Sequence, residues 1–413
     1  MGTEGFRKSA RKGMLLIAAL IFCQPLWAQH VITVLPHLSQ NDEPPISFMR
    51  PFFSIHAAAG SSPAGPPTSA LAPAQVRHAY AFDQVSNQGA GQTIGIVDAY
   101  DDPNAEADLG AFDAQFKLPA CTSSNSCFEK IYSKGTKPAA NANWSVEIAL
   151  DVEWAHAIAP QAKIVLVEAP SNSLGDLLTG VDVAVRNGAS VVAMSWTTGE
   201  FSGETSSDTH FVSNGVTFVA ASGDSGTGTA YPAVSPDVIG VGGTTLTLAA
   251  NGSYQGETAW SGSGGGLSKM EREPAFQSQF GIPDDLRGYR GNPDVSYNAN
   301  PGTGYAIYDS VGLNGYSGWF QVGGTSAGTP QWAALIAIAN SIRAAARKSN
   351  LTSTDTPLYS LAKTAPATDF HAVTQGTNGT CGALCTASAG YDYVTGVGTP
   401  QAAVLIAALA AQR

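Results

Sequence analysis

The sequence predicts an α/β fold in which a mainly parallel central sheet is covered by helices on both faces. Three observations predict it. Past residue 75, short apolar runs alternate with helical segments, the order of a parallel sheet joined by crossover helices. The runs carry few polar residues, as strands buried on both faces do. The chain is 44% hydrophobic with 45 glycines, enough for a large core with many tight turns.

The elements follow in order. QTIGIVDAY is a strand ending near Asp98. NWSVEIALDVEWAHAIAP gives a helix over 144–158. Ser145 caps it, Val146, Ile148, Ala149, Leu150 and Val152 supply its apolar face, and Pro160 ends it. KIVLVEA is a buried strand, LGDLLTGVDVAVRNG a helix and SVVAMSW a strand. VTFVAASG and DVIGVGG are further strands, and TPQWAALIAIANSIRAAARK is a long helix.

Before residue 75 the pattern changes. Arg7, Lys8, Arg11 and Lys12 precede the apolar run at 14–22, so residues 1–28 are expected to be a signal peptide cut after Ala28. The run is short for a membrane-spanning helix. Lipidation at Cys23 is the alternative, but Ile21 and Phe22 lack the small side chains it needs. Residues 29–74 are rich in Pro, Ala, Gly and Ser, as a linker or short leader is. Residues 75–413 form the folded domain. Secretion is the expected destination, with the periplasm as the variant. Of five cysteines, Cys121 and Cys127 lie close together, as do Cys381 and Cys385. Four thiols allow three pairings. An exported chain favours two local disulfides, and zinc ligation is the competing reading.

Net charge is −11 with only 21 Lys and Arg, so no basic stripe exists to bind nucleic acid. No stable membrane association is expected, and the chain is expected to act as a monomer.

The chemistry centres on GGTSAGTP. Small residues expose the Ser326 hydroxyl, and a helix begins directly behind it, favouring negative charge nearby. Seven histidines offer themselves as base, and none stands in a small-residue motif such as HGTH. A histidine distant in sequence stays open as the base. Glu147 and Asp151 lie four apart and project from one helix face. They form either an ordinary solvated pair or a proton-sharing pair, one as base and one as its holder. Asp224 ends a buried strand among glycines. It either makes a turn with its own loop or, when protonated, donates to a developing oxyanion. GDSG around Ser225 mimics another serine-protease motif, but that one belongs to an antiparallel fold.

Glu147-x-x-x-Asp151, then SGDSG, then GGTSAGTP resemble the sedolisin family, the serine-carboxyl peptidases, in order and spacing. GQTIGIVDAYDDP, AIAPQAKIVLVEA, YPAVSPDVIGVGGT and NPDVSYNANPGTGY agree as well, so the resemblance covers roughly residues 75–410. It implies a subtilisin-like three-layer fold and a secreted, acid-acting endopeptidase that cleaves polypeptides through an acyl-enzyme. Ser326 would be the nucleophile, Glu147 the base, Asp151 its partner and Asp224 the oxyanion donor. Trp260, Gly264 and Gly265 would line the substrate cleft as an aromatic wall and an open strand edge, with Ser195, Trp196 and Glu200 nearby. It also implies one calcium ion, held by Asp369 and Asp392 and by the carbonyls of Phe370, Ser388 and Gly390. Ser388 stands where the family usually has glycine. Asp98 is taken as a structural or site-rim residue. Where the family carries a long folded propeptide, residues 29–74 are expected to be only a short leader.

Overall fold

The computed structural model describes Met1 and residues 49–51, 54–58 (backbone alone at 56–58), 65–283 and 288–412. Met1–His30 and Val31–Arg413 are separate units. Beyond Met1, the expected signal peptide lies outside the described residues, as does much of the expected linker.

In chain order the strands are β1 (Arg50–Pro51), β2 (Ser54–Ala58), β3 (Thr93–Ala99), β4 (Phe128–Tyr132), β5 (Lys163–Ala169), β6 (Val191–Met194), β7 (Trp196–Gly199) and β8 (Thr217–Ala221). They continue as β9 (Ala230–Tyr231), β10 (Ile239–Leu248), β11 (Tyr254–Ala259), β12 (Gly266–Arg272), β13 (Tyr289–Asn292), β14 (Val295–Asn298), β15 (Tyr305–Leu313) and β16 (Tyr316–Gly323). The helices used below are α1 (Pro73–Ala79), α2 (Ala105–Phe116), α3 (Ala142–Ile158), α4 (Leu174–Arg186), α5 (Ala275–Phe280) and α6 (Thr325–Ala345).

The main sheet runs β4-β5-β3-β6-β8-β10, every neighbour parallel. The long β10 then pairs with β14 in parallel and with β11 in antiparallel. Helices α3 and α6 cover one face and α4 the other. The strand period of two sorts the side chains. Ile94, Ile96, Val191, Ala193 and Val219 join the core with α3 and α6. Val97, Ala99, Val192, Met194 and Ala220 join the core with Leu177 and Val181 of α4. The three-layer reading of the sequence holds.

Helix α3 begins earlier than its sequence suggests. Asn141 is its cap, accepting from the Asn143 and Trp144 amides through its side chain. Ser145 lies inside the helix and donates back to the Asn141 carbonyl at 3.1 Å. The expected cap at Ser145 is therefore corrected: an Asn four residues upstream satisfies the free amides first. Every residue from Trp144 to Ile158 is buried, so α3 has no solvated face.

Two strands fall within the stretch whose composition marks it as linker. β1 pairs antiparallel with β7, and β2 with β16. Their hydrogen bonds go to partners more than 100 residues away, which local composition does not report. Both cysteine pairs are disulfides, Cys121–Cys127 and Cys381–Cys385. No described helix is long and apolar enough to cross a membrane.

Candidate active site

The carboxyl-terminal ends of β3, β6 and β8 and the start of α6 converge on one point. Ser326 is the second residue of α6. β16 leads into it through Gly323 and Gly324. Gly324 has φ 130°, a conformation side chains rarely adopt. A Cβ on Gly323 would lie 2.5 Å from the Ala299 carbonyl, so no larger residue fits. The turn is thus fixed by sterics, and Ser326 follows buried at the helix N-terminus.

Ser326 Oγ donates to the Ser195 carbonyl at 3.3 Å. Ser195 is the residue between β6 and β7, and its own Oγ donates to Asp151 Oδ1 at 2.8 Å. Glu147 and Asp151 project from α3 into this cluster and are fully buried. Neither Glu147 oxygen accepts a bond of ordinary geometry, and Asp151 Oδ2 also lacks a partner. Burial pushes the Glu147 carboxyl well above its usual range, and the charges of Asp151 and Asp98 add to this. The adjacent Ser326 hydroxyl opposes the shift. Nucleophile and carboxyl are neighbours, but in the resting site the Ser326 hydroxyl is directed at the Ser195 carbonyl. Burial likewise raises Asp151, Asp98 adds to it, and the Ser195 hydroxyl counters it.

Asp98 belongs to this cluster and is not a rim residue. It is fully buried, neither oxygen has a partner, and burial pushes it up to about 8. Strand parity was the missed signal. Ile94 and Ile96 face α3 and α6, so Asp98 faces them too. Ser195 could be found the same way, two residues beyond Ala193.

Asp224 follows β8. Its Oδ1 accepts from the Thr325 amide and hydroxyl, both at 2.8 Å. That leaves Oδ2 buried and unpartnered. Burial pushes the carboxyl up to about 7, against the pull of the Thr325 bonds. Below that pH Oδ2 can hold a proton one residue from the nucleophile's turn. Ser225, of the GDSG mimic, is exposed on the loop.

None of the four histidines whose side chains are described serves Ser326. His156 contacts the Pro119 carbonyl and Asp113, His210 pairs with Asp182, His78 with Asp83, and His371 stacks on Tyr254. Their partners lie elsewhere in the fold.

A model of the subtilase family matches residues 139–412. Kumamolisin from Bacillus sp. (strain MN-32) is 31% identical over 399 residues, which span 87% of this chain and 68% of kumamolisin. The chain belongs to the sedolisin family. It is a serine-type peptidase. Sedolisin from Pseudomonas sp. (strain 101) is 35% identical over 217 residues, 47% of this chain and 35% of that protein. A solved structure of Pseudomonas sedolisin complexed with pseudo-iodotyrostatin superposes with TM-score 0.69 at 26% identity, covering 82% of this chain and 97% of that one.

In this sedolisin-family fold, the expected open edge at Gly264 and Gly265 is corrected. The Gly264 amide donates to the Gly223 carbonyl at 2.7 Å, and Gly265 exchanges two 2.8 Å bonds with Gly228. A Cβ on either would lie 2.0 Å from a backbone oxygen. These glycines let the loop pack tightly behind Asp224. Trp260 is half-buried beside Gly243, whose surroundings also include Ala299 and Thr325. Glu200 is occupied by the Ser268 and Thr229 hydroxyls and the Lys269 amide. β7, directly after Ser195, is paired on one side with β1 and on the other with β9.

The segments of the expected calcium site meet only in part. Asp369 is buried and its carboxylate accepts no hydrogen bond from the described residues, so it suits a cation, while its carbonyl accepts from the Gln401 amide. Asp392 already accepts from the Ser388, Val394 and Thr395 amides and the Thr395 hydroxyl. The Phe370 carbonyl accepts from Gln401. Gly390 has φ 88° and lies exposed.

Proposed function

We propose that this peptidase is a secreted, acid-acting endopeptidase with Ser326 as nucleophile, Glu147 as base, Asp151 as its holder and Asp224 as oxyanion donor. The observation that carries it is a buried hydroxyl at a helix start beside three buried carboxyls, with none of the described histidine, lysine or arginine side chains among them. Glu147 takes the Ser326 proton as Oγ attacks the scissile carbonyl. The protonated Asp224 Oδ2 donates to the oxyanion. Glu147 then gives its proton to the leaving amine. Water repeats the cycle on the acyl-enzyme, and the acid product leaves. Asp98, Glu147 and Asp151 cannot all ionise together, so their cluster gives up protons one at a time. One loss suffices for a base. The donor works only while Asp224 is protonated, below about 7. The product of these two demands is a bell with an acidic maximum.

Polypeptide substrates would pair with β7 by displacing β1, because β9 holds the other edge. The chain's own β1 already lies there, Pro51 opposite Trp196 and Arg50 opposite Thr197. Two disulfides and the N-terminal basic-apolar pattern support export. One calcium ion on Asp369 and Asp392, with carbonyls of Phe370, Ser388 and Gly390, would tie the carboxyl-terminal loops; Asp392 would have to share its present donors.

The test is digestion of a denatured protein from pH 2 to 8 by the wild type, Ser326→Ala and Glu147→Gln. An acidic bell is expected, with each variant slower by at least roughly 100-fold. A Glu147→Gln enzyme of full activity, or a rate held to alkaline pH, refutes the reading. Fragment masses decide the mode of cutting. Release of tripeptides alone, as the names of the related tripeptidyl-peptidases describe, would replace endopeptidase with exopeptidase.

A further inference from the structure

A second group of buried carboxyls lies away from the active site, where α2 meets the end of β15. Asp102, Asp108 and Asp309 each bring a carboxylate oxygen within 4.8 Å of the other two. Exposure is 0%, 2% and 0%. Glu153 of α3 is buried close by, with both oxygens on the Tyr308 amide. Among the described residues, no lysine, arginine or histidine comes within ion-pair distance of any of these four. Lys130 makes no ion pair with them: its ammonium donates to Asp101, to Glu168 and to the backbone carbonyl of Asp102, and its charge favours the ionised Asp102 only from a distance.

Backbone amides orient the three aspartates. Asn104 donates to Asp102 Oδ1 at 2.8 Å and Ser310 to Asp108 Oδ2 at 2.8 Å, while Val311 and Gly312 donate to the two oxygens of Asp309. These bonds do not account for Asp102 Oδ2, which is buried without any partner. A buried, unpaired carboxylate oxygen beside two more carboxylates is costly unless a proton neutralises it or a cation meets it.

We propose that Asp102, Asp108 and Asp309 hold a calcium-class cation that ties α2 to β15. The ligands are oxygen only, as hard cations require. Oxygens no more than 4.8 Å apart leave a common centre within a few tenths of an ångström of calcium's usual distance, about 2.3–2.6 Å. Magnesium, at about 2.0–2.1 Å, would need the group to contract. The site would stiffen the β15–β16 hairpin, in which Asp309 pairs with Gly318. β16 runs on to Gly323, three residues before Ser326. The ion is separate from the one proposed at Asp369 and Asp392.

Equilibrium dialysis against calcium chloride at pH 7, followed by metal analysis, tests this on the full chain. Asp309→Asn keeps the shape and one of the two acceptor oxygens of the turn while removing a charge. The wild type is expected to hold one calcium ion more than Asp309→Asn, with Asp102→Asn matching the latter. In an Asp392→Asn background, calcium should still raise the melting temperature, and adding Asp309→Asn should abolish the rise. Equal calcium content in wild type, Asp309→Asn and Asp102→Asn overturns the proposal. A calcium-induced rise in Asp392→Asn that survives Asp309→Asn does so too.

Discussion

Asp98 and Asp101 stand three residues apart at the same end of the sheet, both fully buried, yet they meet opposite electrostatic surroundings. Asp98 faces Glu147 and Asp151 with no cation, and burial drives it up to about 8. Burial pushes Asp101 up as well, but hydrogen bonds from Lys130 and Lys137 overcome that and leave it below the usual carboxylate range. Desolvation is common to both, and the cation decides the outcome. Without a cation the carboxyl keeps its proton and can serve proton transfer. With one it becomes a fixed ion pair that fastens β3 to β4.

Breaking the paired side should have the largest effect on folding. Lys130→Met leaves Asp101 and Glu168 without their shared ammonium, and stability at pH 7 should fall by roughly 3 kcal/mol, measured by chemical unfolding. Asp101 has a lowered folded pKa, so its contribution is present above its unfolded value and lost in acid. The deficit should therefore shrink only at strongly acid pH, about pH 2, below the unfolded value of 3.8. An equal deficit at both pH values would show that packing of the lysine stem, not charge, was lost.

On the unpaired side, Asp224→Asn should lower kcat by roughly 100-fold. An amide does not titrate, so the residual rate should also lose its fall near pH 7, the point at which Asp224 ionises. A residual activity that still falls there would assign that limb to another group.

Asp98→Asn is the finest probe, with an expected change of a few-fold. It removes a charge that raises both Glu147 and Asp151. The acid limb of the rate profile should move to lower pH. Stability has a matching sign. Asp98 is raised when folded, so the fold holds that proton more tightly than the unfolded chain does. Stability is full in acid and is lost as pH rises through about 8. The variant should show a shallower decline in melting temperature between pH 5 and 8. An unchanged decline would detach Asp98 from the cluster.

Competition at β7 can be measured as well. A chain beginning at Ser54 lacks β1, and its KM for a denatured protein substrate should drop several-fold with little change in kcat. An unchanged KM would mean that β1 does not share the substrate's edge.

Much of the candidate site was legible in the sequence. The small-residue turn at Ser326 and the four-residue spacing of Glu147 and Asp151 are local geometry, which sequence states directly. The strand ending in Asp224 is of the same kind. Gly264 and Gly265 were misread because a glycine permits both an open edge and a tight contact. Only the positions of Ser222, Gly223 and Tyr393 behind them choose between the two. Ser145 was misread as a cap because Asn141, outside the apolar pattern, competes better for the free amides.

What the sequence determined by itself was the order of strands and helices, the nucleophile's turn and the identity of the acids, since each depends on neighbours within a few residues. Tertiary structure alone decided which carboxyls meet a lysine and which meet only one another. It also decided that Arg50–Pro51 lies along β7. The reason is that charge pairing and strand pairing act between segments far apart in the chain, and their energies depend on distances that no local pattern encodes.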